Sequence, residues 1–277
     1  MSTQTAPPPT THKELPAGHY SFFDLVRSEW TKIRTVRSTM WTIGVTVVLG
    51  IGIGALVCAL TRSHWSGMNI GQRLSFDAPA TSLVGILFAQ FAVGILGVLV
   101  ISAEYSTGTI RATFSAAPNR SRVFAAKIVV FGVLSFLVAE FTSFVAFFLG
   151  QFLLSAPATH ATLSSPGAFR AAFGGGLFVC LLGLIALGLG TIIRHTAGAI
   201  SAFVGVLLVL PIITQALPSQ LAQDVRKFMP DRIGVDVLTT KSQDFGAFSP
   251  WVGIFIVAIY AVVLLVIGAS MLERRDA

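Results

Sequence analysis

Six runs of apolar residues punctuate the chain, near 40–61, 80–102, 127–154, 173–193, 197–217 and 250–272. Each is long enough to cross the ~30 Å hydrocarbon core of a bilayer as a helix. Inside a bilayer, only helices and closed barrels satisfy their own backbone groups. The pattern predicts an all-α integral membrane protein with six transmembrane helices. The third run has length to spare for tilting or for starting outside the membrane. The fourth and fifth are separated only by Arg194, His195 and Thr196. That predicts a tight helical hairpin with its bend at Arg194.

Ahead of the first run, residues 20–39 show a different period. Phe22, Val26, Trp30, Ile33 and Val36 recur at spacings of three and four, while Asp24, Arg27, Thr31, Arg34 and Ser38 fall opposite. This is the pattern of an amphipathic interfacial helix whose apolar side sits at the acyl boundary. Trp30 is its aromatic anchor, and Lys32, Arg34 and Arg37 are its basic residues nearest the first span. Residues 1–19 are rich in Thr, Pro and Ala, with prolines at 7, 8 and 9. They read as a disordered tail, and no apolar signal-peptide core follows the start. The expected division is a tail over 1–19, an elbow helix over 20–39 and a six-span domain over 40–277.

Composition makes the membrane reading firm. Of 277 residues, 54% are hydrophobic and only 11% charged, against about 25% charged in soluble domains. That is too little charge to cover a water-facing surface, which excludes a soluble enzyme and a disordered chain. The net charge of +7 lies at membrane boundaries rather than in an aromatic-interleaved stripe, so no nucleic-acid partner is expected. An even number of spans puts both termini on one side. That side collects twelve Lys and Arg, including Lys32, Arg111, Arg120, Arg122, Lys127 and Arg194, against seven on the other. Four of those seven face Asp224, Asp231, Asp236 and Asp244 in the loop 218–249. The positive-inside rule then places both termini in the cytoplasm. Cys58 and Cys180 lie in separate apolar runs and read as packing residues rather than a disulfide.

Two stretches carry candidate function. The loop 103–122 is cytoplasmic by this topology and contains a short helical pattern ending before Pro118. Glu104 and Arg111 are seven apart and would share a face of a continuous helix. Ile110 and Phe114 form an apolar pair four apart. A short exposed helix of this kind suits docking into a partner's groove; the alternative is a solvated linker. Within the third run, Glu140 sits at mid-membrane, where a carboxylate is costly. Gln151 lies nearly on its face, and Gln90 lies at similar depth in the second run. Glu140 is expected to face the bundle interior with Gln90 as a partner. It either lines a substrate path, responds to protons, or bridges two helices as a neutral acid. The pair Gly50 and Gly54 and the glycines 183, 188 and 190 let helices approach closely. There is no GxxxxGK[ST] loop, HExxH or GxSxG in the chain, so neither ATP hydrolysis nor metal binding is expected here.

These stretches resemble a known family. Glu104-Tyr-Ser-Thr-Gly108-Thr-Ile-Arg111, with Pro118, Arg120 and Lys127 after it, is similar to the segment following the second span of ABC type-2 exporter permeases. Ser28-Glu-Trp-Thr-Lys-Ile-Arg34 and Arg37-Ser-Thr-Met-Trp41 resemble the approach to the first span in bacterial members. The resemblance implies a coupling helix near 103–122 that docks on a separate ATPase, with Glu104, Gly108, Arg111 and Phe114 on or beside it. It implies short re-entrant helices in 218–249, and a bacterial plasma-membrane complex of two permeases and two ATPase subunits. ATP and magnesium would be held by those partners. Two other classes stay open to the residues themselves: a proton-coupled secondary transporter using Glu140, and a scaffold subunit without transport of its own. The transported substrate is not legible.

Overall fold

The computed structural model describes residues 21–216, 218–241 and 248–274. The predicted tail 1–19 lies outside the described residues, as does Asp244. Among the described residues the fold is all helical, and six helical stretches are long and apolar enough to span a membrane: 37–67, 78–106, 120–154, 168–193, 196–214 and 250–274.

The amphipathic segment forms α1, Phe22–Thr35. Ser21 caps it reciprocally with Asp24: the Asp24 amide donates to the Ser21 hydroxyl at 3.2 Å, and the Ser21 amide donates to the Asp24 carboxylate at 2.9 Å. These bonds satisfy amides that a helix start leaves open and hold the Asp24 carboxyl below the usual carboxylate range. Val36 breaks the helix with an extended backbone, and α2, Arg37–His64, begins at once. The predicted apolar side divides. Ile33 is buried against the protein, whereas Phe22, Trp30 and Val36 stay exposed, as suits residues facing lipid.

The second span is broken. A short α3, Ile70–Ser75, precedes α4, Ala78–Leu83, and a two-residue turn separates α4 from α5, Ile86–Ser106. At that turn Gly85 lies against the carbonyl of Gly50, where a Cβ would collide with backbone. Gly54 makes the same kind of approach to the Ser82 carbonyl. The glycine pair of the first span therefore serves packing within the chain. The third span, α7, runs Arg120–Leu154 and starts outside the apolar run, as its length suggested. Between α5 and α7 lies α6, Thr109–Ala116.

The fourth span, α8, Ala168–Ile193, is the centre of the bundle and packs against α5, α7 and the last span, α13, Pro250–Arg274. Gly97 meets the Gly183 backbone, and Gly188 meets Leu264. Arg194 ends α8 in the left-handed region at φ 57°, and the His195 ring accepts the Gly198 amide at 3.2 Å to start α9, Thr196–Val204. The bend lies where the sequence placed it. The fifth span then passes through a π-helical stretch, Gly205–Val209, into α10, Leu210–Thr214. The loop before the last span holds α11, Ser219–Arg226, and α12, Pro230–Leu238. They are short helices, and Pro230 is the first residue of the second.

Candidate functional site

One end of the bundle gathers α1, α6, the last turns of α5 and the first turns of α7. Glu29 on α1 falls three residues before Lys32 and four before Ile33, so all three share a face. Glu104 lies in the last turn of α5, and Lys127 near the start of α7. These four charges close a ring. The Lys127 ammonium donates to Glu29 at 2.6 Å, to Glu104 at 2.9 Å and to the Val100 carbonyl at 3.3 Å. The Lys32 ammonium donates to Glu29 at 2.7 Å, to Glu104 at 3.1 Å and to the Thr113 hydroxyl of α6 at 3.4 Å. Each ammonium has three N–H donors and each finds three acceptors. Glu29 and Lys127 are 3% exposed and Glu104 14%, while Lys32 is 36% exposed.

The ring balances two charges against two. Desolvation would make any one of them costly alone, and pairing offsets that cost. Glu104 also sits at a helix C-terminus, where the dipole disfavours a carboxylate; the two lysines counter it. Burial works against the charge on Lys32, but Glu29 and Glu104 outweigh it and hold its pKa above the ordinary lysine value. A cavity of about 430 Å³ opens beside the ring. Ile33, Val36, Leu96, Leu99 and Val100 form its apolar wall, and Ser38, Thr39, Thr107 and Thr109 its hydroxyl rim.

Helix α6 is pinned to this end. Gly108 adopts φ 71°, ψ 0° between α5 and α6, a left-handed conformation that glycine takes without a Cβ penalty. Glu104 and Arg111 therefore do not lie on one continuous helix, which corrects the reading from their spacing. Ile110 is buried at 3% exposure, and Phe114 is half-buried with the Arg120 guanidinium 5.2 Å above its ring. This apolar pair faces inward rather than outward as the docking pattern suggested. The exposed side of α6 carries Arg111, Ala112 and Ser115 instead. Arg120 also donates to the Leu272 carbonyl at 3.0 Å, and Arg194 to the Met271 carbonyl at 3.0 Å. Those carbonyls belong to the last described turn of α13.

Of the predicted residues, Lys32 and Glu104 meet in the ring, and Gly108 forms the bend beside it. Trp30, Arg34 and Arg37 are exposed around α1. Glu29 and the pairing of Lys127 were not foreseen. Glu29 is the one acid on the protein-facing side of α1, set between Val26 and Ile33, and that position was a signal for Glu29 though not for its pairing with Lys127.

The intramembrane polar residues separate. Gln151 is a structural clamp. Its amide donates to the Ala78 carbonyl at 2.9 Å and the Ser82 hydroxyl at 3.0 Å, and its carbonyl accepts the Ala161 amide at 2.6 Å. Glu140 does not pair with Gln90. Its carboxyl lies over Gly176 of α8, and neither of its oxygens has a hydrogen-bond partner among the described residues. The Gln90 side-chain carbonyl is likewise buried without one. Helix α8 packs against both α5 and α7 and takes up the face on which Glu140 projects. Among the described residues no group of His, Cys, Asp and Glu has metal-binding proximity.

The sequence profile of the family described as "ABC-2 family transporter protein" matches residues 25–211, which spans α1, the charge ring, α6 and the first five spans. No curated protein matches the chain. The profile covers more than half of the chain and the six apolar helices accord with it; the chain belongs to the ABC-2 transporter family, as a multi-pass membrane permease component of an ABC transporter.

Proposed function

We propose that this permease couples a separate ATPase to an export pathway through α6 and the charge ring. The observation that carries the proposal is the closed set of bonds joining α1, α5, α6 and α7 through Glu29, Lys32, Glu104, Thr113 and Lys127. A push on the exposed side of α6 reaches Lys32 through Thr113. From Lys32 it reaches α5 through Glu104, and α7 through the carboxylates that both lysines share. Two spans and the elbow helix then move together. The basic end of the bundle would lie in the cytoplasm of a bacterial cell, where the ATPase binds ATP and magnesium. Two ATPase subunits and a second permease would complete the pathway. The first and fifth spans have only 22% and 17% of their apolar windows buried within the chain, against 61% and 67% for the second and fourth. Their uncovered sides leave room for that second permease.

The test uses Arg111→Cys in the full chain, since Cys58 and Cys180 are both buried. Crosslinking in host membranes is expected to join position 111 to an ATPase subunit, while a cysteine introduced at exposed Leu74, at the opposite end, joins none. Recovery of the permease with no ATPase attached at position 111 would overturn the coupling role of α6.

A further inference from the structure

The first span begins without a cap. Val36, which precedes α2, has no side-chain acceptor to offer, and the amides of Arg37 and Ser38 meet no acceptor among the described residues. Such amides form the positive end of a helix dipole. This open start lies on the cavity beside the charge ring, where Val36, Ser38 and Thr39 all line the space. Thr39 is 4% exposed, and its hydroxyl has no hydrogen-bond partner among the described residues. A buried hydroxyl without a partner is costly, and the cavity is where a partner can stand.

The rest of the cavity says what that partner is. Open amides at a helix start select a negative oxygen. Arg34 and Arg37 stand exposed on either side of Val36 and add positive charge nearby. Glu29 and Glu104 also line the cavity, but each is paired with both lysines, so the ring offers a ligand no net charge. Beyond the ring the wall is apolar. Leu96 lies eight residues before Glu104 on α5, about 12 Å further along the helix, with Leu99 and Val100 between them. Val36 is 47% exposed and belongs both to this wall and to the lipid-facing side of α1. A bare anion leaves that wall unused, whereas an anion with a hydrocarbon tail fits both halves. The volume of about 430 Å³ is enough for a small-molecule ligand.

We infer that the cavity between α1, α2, α5 and α6 holds a phospholipid from the adjoining leaflet. Its phosphate sits on the Arg37 and Ser38 amides and the Thr39 hydroxyl, and one acyl chain runs along Leu96, Leu99 and Val100. The lipid thereby ties the start of the first span to the second. The site belongs to the permease chain alone and stands whether or not α6 docks an ATPase.

The test titrates the full chain, purified in detergent and stripped of lipid, with phosphatidylglycerol, and counts bound lipid by native mass spectrometry. One phosphatidylglycerol is expected to bind about tenfold or more tightly than diacylglycerol, which has the tails without the phosphate. Thr39→Val keeps the shape and removes the hydroxyl, and should weaken that site about tenfold. Leu99→Trp fills the space of the tail and should weaken it at least as much. Equal binding of phosphatidylglycerol and diacylglycerol overturns the inference, as does parent affinity in Thr39→Val. Displacement of the lipid by inorganic phosphate alone would make this a site for a free anion and overturns it too. Should Thr39→Val not fold, parent affinity in Leu99→Trp overturns it equally.

Discussion

Two charged clusters, one toward each end of the bundle, are built in opposite ways. Beside α1 and α6, two lysines and two carboxylates bind one another. Toward the opposite end, Asp77 and Arg170 bind mainly backbone. The Asp77 carboxylate caps α4 through the Ala80 amide at 3.0 Å, then accepts the Thr240 amide at 2.6 Å, the Thr240 hydroxyl at 2.9 Å and the Lys241 amide at 2.9 Å. Arg170 donates to the Thr239 carbonyl at 2.7 Å and the Val237 carbonyl at 3.3 Å. Asp77 thus grips the chain just after α12, and Arg170 the end of α12 and the residue that follows it. A clasp on backbone fixes a segment in one place, because amides and carbonyls cannot turn away. A ring of long side chains has play. Each lysine reaches both carboxylates, so one contact can lengthen while another holds. The cluster built from side chains is suited to transmit displacement, and the clasp built on backbone to resist it.

Removing one member of the ring should break this contrast most severely. Lys127→Met leaves the buried Glu29 and Glu104 to share Lys32 alone, at a cost of about 3–5 kcal/mol. Thermal unfolding of the purified chain should show a large loss, and the double variant Glu29→Gln/Lys127→Met should recover much of it. A single variant as stable as the parent would mean that the ring is not closed. At the clasp, Asp77→Ala removes a cap and three bonds to 240–241, a loss of about 1–3 kcal/mol. Its effect should stay local, seen as faster amide exchange near 236–241 with little change around Lys127. Spread of that exchange across the whole bundle would dissolve the contrast. The smallest effect is in alkali. The pKa of Lys32 is raised, so its contribution is complete below the ordinary lysine value and is lost as pH rises through the folded value. Melting temperature should therefore fall more steeply on the alkaline side in the parent than in Lys32→Gln. Parallel curves would show that Lys32 is not held by the ring.

The spans were legible because lipid imposes one rule on every residue of a crossing segment, and long apolar runs report it directly. The bend at Arg194 was legible for the same reason, since two spans with so little between them have one place to turn. The site was legible only in part. Spacing placed Glu104 and Arg111 together, but spacing assumes an unbroken helix, and Gly108 at positive φ ends it. The Ile110 and Phe114 pair was correctly seen as an apolar face, but periodicity does not say whether a face turns toward a partner or toward the chain's own core. The pairing of Glu29 was hidden for another reason. Its partner Lys127 is distant in sequence, and only packing of α1 against α7 brings them together. Glu140 and Gln90 share a depth, yet depth does not reveal which helix fills the space beside each.

The wide π turn at Gly205–Val209 leaves the buried side of the fifth span in place. Ala199, Phe203 and Leu207 are buried in steps of four, and the next buried position, Thr214, lies seven residues beyond Leu207. Seven residues are close to two ordinary α turns. The side that meets the bundle ahead of the π turn therefore runs on past it, and the side turned away from the bundle stays single along the whole span.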